Sequence, residues 1–128
     1  MINPKVDRKI TAEVNIERNV RPLLRGDMLK LYERLLAIAV TKALSSGIPL
    51  KSIHVYVSRD PEENTSVIVF ELHVEASAVQ ALAFWEALGV VIDRWRGGLT
   101  EYLKELLITR WSIQVRWLSN GFSRVYSC

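Results

Sequence analysis

Hydrophobic and polar residues alternate from Ile10, with Ile10, Ala12, Val14 and Ile16 on one side and Thr11, Glu13, Asn15 and Glu17 on the other. That period of two predicts a strand buried on one face. Pro22 and Gly26 punctuate a connection, and Asp27 is placed to cap a helix by accepting hydrogen bonds from its first amides. Leu29, Tyr32, Leu35, Leu36, Ala39, Ala43 and Leu44 then recur at three and four, as one helix face requires. Gly47 suits the left-handed position after the last turn, and Pro49 blocks continuation.

Alternation resumes with Ile53, Val55 and Val57 against His54, Tyr56 and Ser58. A polar connection follows over 59–66, then a strand over 67–75 whose apolar side is Ile68, Phe70, Leu72 and Val74. Ser77 offers an N-cap to a long helix carrying Leu82, Trp85, Leu88, Ile92, Trp95, Leu99, Tyr102, Leu103 and Leu106. Gly97-Gly98 interrupts it at a cost of roughly 1 kcal/mol per glycine. Because Trp85, Ile92, Leu99 and Leu106 stay seven apart, one continuous, kinked helix is expected. Trp111, Ile113, Val115 and Trp117 alternate with Ser112, Gln114 and Arg116 to give a fourth strand. Asn120-Gly121 is a hairpin signal, returning Phe122 to Tyr126 as an extra edge strand at the C-terminal end.

The resulting order β-α-β-β-α-β predicts an α+β two-layer sandwich, ferredoxin-like, with an antiparallel sheet and two helices on one face. The order carries no function by itself. With 128 residues, 49% of them hydrophobic, the chain suits a single α+β domain over 1–128 and excludes intrinsic disorder. No apolar run approaches the roughly 18 residues of a membrane span, so no membrane association is expected. Met1 to Lys5 lacks the apolar stretch of a signal peptide, and Cys128 is the single cysteine, so a cytoplasmic protein without internal disulfides is expected.

Aligning the apolar sides of the two central strands places Val55 opposite Leu72, His54 opposite His73 and Tyr56 opposite Glu71. His54, Tyr56, Glu71, His73 and Arg116 then form a candidate polar site on the sheet face without helices, joined by Glu13, Asn15 and Gln114. Two imidazoles and a carboxylate could bind a divalent metal or share a proton, which defines an enzyme alternative centred on His54, His73 and Glu71. The chain nevertheless has no recognisable nucleophile context and no phosphate loop of the P-loop or Rossmann kind. No catalytic residue, metal ligand or cofactor is therefore assigned.

A continuous helix over 78–107 would be about 45 Å long, against about 23 Å for a seven-residue strand. The overhang would expose Trp95, Leu99, Tyr102 and Leu106, and Phe84 and Val91 would lie on a second line beside Trp85 and Ile92. These six residues are the candidate oligomer interface, and a homodimer that also binds a small ligand or protein partner is the expected mode of action. Basic and acidic residues number 17 and 14, for a net charge of +3. Lys5, Arg8, Lys9, Arg18, Arg21 and Arg25 crowd toward the N-terminus, and Tyr56 could stack a base. Glu13, Glu17, Glu71 and Glu75 share Tyr56's face and would repel phosphate, so nucleic acid is the least favoured partner.

Overall fold

A computed structural model describes residues 12–119 and 122–127, with side chains described for 12–117. The elements are β1 (Glu13–Ile16), a 3₁₀ turn (Arg21–Leu23), α1 (Asp27–Ser46), β2 (Leu50–Asp60), β3 (Thr65–Val74), α2 (Ala78–Gly97), α3 (Glu101–Arg110), β4 (Trp111–Ser119) and β5 (Phe122–Ser127). The five strands form one mixed sheet in sequential order, within an α+β fold. β1 and β2 are parallel, β2 and β3 antiparallel, β3 and β4 parallel, and β4 and β5 antiparallel.

This corrects the expected antiparallel, ferredoxin-like sheet. That arrangement requires each strand after a helix to skip a place, so that another strand fits between the two. Here α1 returns the chain to the immediate neighbour of β1, and α2–α3 return it to the neighbour of β3. Parallel pairing of adjacent strands follows. The element order is common to both arrangements, and hydrophobic period does not report which strands are neighbours.

The ends of α1 show what local chemistry sets. Gly47 takes φ +68°, Ile48 N donates to Ala43 O at 3.0 Å and Gly47 N to Leu44 O at 3.2 Å, closing a Schellman motif at the expected glycine. At the other end Gly26 is the cap and Asp27 the first helical residue, so Asp27 makes no side-chain cap bond. Its carboxylate instead sits in the first turn, where the helix dipole favours negative charge. Ser77 caps α2 as expected, in a reciprocal capping box with Gln80.

The second helical segment is two helices, not one. α2 ends at Gly97, and Thr100 starts α3 by accepting a hydrogen bond from Leu103 N at 3.3 Å. The two glycines weaken the helix where a new cap competes with it, and α3 packs back on β3 and β4. The buried row of α2 is Ala81, Phe84, Leu88 and Ile92, with Trp85 only half-buried.

One core cluster joins that row to Leu31, Tyr32, Leu35, Ala39 and Ala43 of α1 and to the inward residues of β2, β3 and β4. Trp111 and Trp117 belong to it at 5% and 3% exposure, as their parity predicted. The helices pack on one face of the sheet. The other face carries Glu13 and Asn15 of β1, Ser52, His54 and Tyr56 of β2, Val69, Glu71 and His73 of β3, and Gln114 and Arg116 of β4. No described helix is long and apolar enough to cross a membrane. Ile10, Thr11, the basic residues Lys5, Arg8 and Lys9, the Asn120-Gly121 turn and Cys128 lie outside the described residues.

Candidate functional site

The β2–β3 hairpin closes at Asp60–Thr65. The Asp60 carboxylate accepts from Glu62 N at 3.0 Å and Glu63 N at 3.4 Å, and Asn64 takes φ +53°. This turn chemistry fixes a register two residues from the expected one. Val55 pairs with Phe70, His54 with Glu71, Ser52 with His73 and Tyr56 with Val69. A shift of two preserves parity, so every side chain keeps its face and only its cross-strand partner changes.

Two rungs of the sheet therefore build the cluster. One runs Glu13, Ser52, His73, Arg116, and the next runs Asn15, His54, Glu71, Gln114. Glu71 lies at the centre and is 4% exposed, the one charged residue buried among the described residues. Its Oε1 accepts from His73 Nε2 at 2.6 Å and from Arg116 Nε at 3.2 Å. Its Oε2 accepts from the Tyr56 hydroxyl at 3.1 Å and from Arg116 Nη2 at 3.4 Å. Each oxygen thus has two donors, and the guanidinium grips the carboxylate with both arms.

Burial alone would push the Glu71 carboxyl up. The bonds from Arg116, His73 and Tyr56 outweigh it and hold the carboxyl below its usual range. The Tyr56 phenol is pushed up, first by burial and then by the negative charge and hydrogen bond of Glu71. An ionised carboxylate only accepts, so His73 must carry hydrogen on Nε2. A neutral His73 ring then presents Nδ1 as an acceptor, its orientation fixed by the carboxylate. His54 lies over it with ring centroids 4.2 Å apart and planes inclined by 33°, and Ser52 Oγ is 3.2 Å from His54 Nε2.

All five sequence-predicted site residues, His54, Tyr56, Glu71, His73 and Arg116, thus fall within one connected patch. Ser52 was missed. Its parity already placed it on this face, but only the true register sets it beside His73. A hollow of about 420 Å³ opens next to the patch, lined by Lys51, Ser52, His73, Glu75, Arg116 and the Val74–Trp117 end of the sheet. A smaller one of about 240 Å³ runs along β1 on the other side of His54.

Among the described residues, the two imidazoles and the carboxylate are not arranged as a metal-ligand set. Four donors already occupy the lone pairs of Glu71, and no group of three His, Cys, Asp or Glu is placed for a metal among the described residues. The interface candidates also separate. Phe84 is 2% exposed and in the core, which corrects its assignment to an outer line. Trp95, Leu99 and Leu106 pack against the core as half-buried residues, because the chain turns at Gly98 instead of overhanging. Val91 lines a groove with Ile38 and Thr41 of α1, and of the six only Tyr102 is fully outside, at 63% exposure.

No family model, no curated protein and no solved structure matches the chain.

Proposed function

We propose that the chain is a small binding domain that holds a small polar ligand on the sheet face opposite its helices, in the hollow beside His73 and Arg116. One observation carries this reading. A carboxylate 4% exposed is held by side chains from β2, β3 and β4, and two of these, His73 and Arg116, line an open hollow. A buried ion pair is a poor way to gain stability, since desolvation offsets most of the attraction. Ionisable groups with environment-shifted protonation cluster at sites that bind or react. The hollow, at about 420 Å³, has the volume of a small-molecule site.

The test is a screen of small fragments of varied charge by amide NMR on isotope-labelled protein. The reading expects at least one fragment class to shift the amides of Ser52, His73 and Arg116 while the helix amides stay in place. Silence at those three positions for every fragment would overturn it.

A second reading uses the same geometry for acid–base chemistry. His73 is positioned by a carboxylate at 2.6 Å, and its neutral ring would offer Nδ1 as an acceptor, the arrangement a general base needs. It predicts that hydrolysis or proton-exchange activity found in a substrate screen disappears in His73→Gln. Activity that survives the substitution would remove it.

A further inference from the structure

Among the described residues, the fixed charges that line the hollow lie in pairs. Lys51 Nζ lies 3.3 Å from Glu75 Oε2 at the rim, and Arg116 is matched by Glu71 beneath it. The remaining charge-bearing groups on these rungs are the two imidazoles and, one strand away on β1, the exposed carboxylate of Glu13. Glu17, also exposed, follows β1 near Tyr56, whose hydroxyl is committed to Glu71. Among the described side chains on these two rungs, β4 adds the uncharged Gln114 besides Arg116.

Among the described residues that line the hollow, the variable charge is therefore whether an imidazole holds a second proton. His73 is the ring that lines the hollow, whereas His54 lies behind it against Ser52. Protonation would turn His73 Nδ1 from an acceptor into a donor without disturbing the Nε2 bond to Glu71. The neighbouring donors are of one kind: the Ser52 hydroxyl, the Lys51 ammonium and the protonated ring. An anionic group on a ligand would accept from them in place of Glu75, which holds Lys51, and of His54, which Ser52 contacts, and its charge favours the protonated ring.

We propose that the hollow binds a small anion, a carboxylate or a phosphate-like oxyanion, and that binding takes up one proton on His73. This rests on the hollow being the ligand site. The ammonium of Lys51 would shift from Glu75 toward the ligand, and Glu71 would keep the ring oriented while balancing Arg116.

Calorimetric titration with acetate and with inorganic sulfate tests this, since neither anion titrates near neutrality and together they separate carboxylate from oxyanion recognition. At least one should bind about tenfold or more tightly at about pH 6 than at about pH 8, the interval in which histidine changes charge. Its apparent heat should differ between buffers of different ionisation enthalpy, as proton uptake demands. His73→Gln should abolish the pH difference and His54→Gln should keep it, with amide spectra confirming that both variants fold. Affinity equal at the two pH values, or a pH difference that survives in His73→Gln, would overturn the proposal. If uncharged or cationic fragments shift the Ser52, His73 and Arg116 amides while both anions fail to bind, the anion proposal falls and the ligand site stands. If nothing shifts those amides, both fall.

Discussion

His54 and His73 stack with ring centroids 4.2 Å apart although neither is the other's cross-strand partner. His54 pairs with Glu71 and His73 with Ser52, so the two rings meet on a diagonal. Diagonal neighbours on one sheet face lie within reach of ring side chains. The contact therefore needs shared parity more than exact register, and parity is what alternation in the sequence reports. The same reach lets Tyr56, paired with Val69, deliver its hydroxyl to Glu71 at 3.1 Å.

The inner line of α2 can be checked by truncation. Phe84 is 2% exposed and surrounded by the core, so Phe84→Ala should cost about 3–5 kcal/mol. Trp85 is half-buried, and Trp85→Ala should cost roughly half as much. Urea unfolding of the two variants decides the order. A larger loss for Trp85→Ala would mean that the helix face is assigned wrongly.

Two glycines should respond in opposite directions. Gly47 sits at φ +68°, where a side chain is strained, so Gly47→Ala should destabilise by about 1–2 kcal/mol. Gly89 lies within α2, and open space surrounds the point a Cβ would occupy, so Gly89→Ala should stabilise by about 0.5–1 kcal/mol. Thermal and urea unfolding read both. Equal signs for the two would contradict an α1 that ends at Ser46 and an α2 that runs through Gly89.

Faces were legible in the sequence wherever period two was clean: Ile53, Val55, Ile68, Phe70, Leu72, Val74, Ile113 and Val115 all point to the core. Caps were legible where the chemistry is local, as at Gly47 and Ser77. Strand adjacency was not, because the length of α1 is compatible with returning to the next place or skipping one. The seven-residue spacing of Trp85, Ile92, Leu99 and Leu106 misled for a related reason. It runs across the Thr100 cap, so the four residues do not share one helical axis. The candidate site emerged because its members needed only parity and proximity along the sheet. Ser52 needed the register, which Asp60 and Asn64 set from the turn.

Self-association was expected from an overhanging apolar helix, and that overhang is absent. Leu99 and Leu106 pack on the core, and Leu107 is 4% exposed. The outward row of α2 does hold Val79, Leu82 and Val90, but the charged Glu86 lies among them. Isolated apolar residues of this kind are ordinary on monomeric surfaces. Light scattering on a sizing column should therefore give a mass near 14.6 kDa under reducing conditions at two concentrations. A mass twice that would direct attention to the Val79, Leu82 and Val90 row, and Val90→Lys should then restore the monomer.

The buried carboxylate makes a prediction about acid stability whose sign can be worked out. The carboxyl of Glu71 is held below its usual range in the folded chain, so the folded state favours its ionised form. Its contribution is complete above the ordinary glutamate value of about 4.3 and is lost as pH falls through the lower folded value. At about pH 7, Glu71→Gln should cost about 1–3 kcal/mol, because Arg116 and His73 lose a charged acceptor within a mostly buried site. The difference between wild type and variant should shrink on acidification, since a protonated Glu71 and a glutamine are both neutral. Tyr56→Phe removes one donor from Oε2 and should move the wild-type acid limb toward higher pH. Urea midpoints measured from neutral to acidic pH test all three statements. A gap between wild type and Glu71→Gln that stays constant across that range would show that Glu71 is not ionised against its partners.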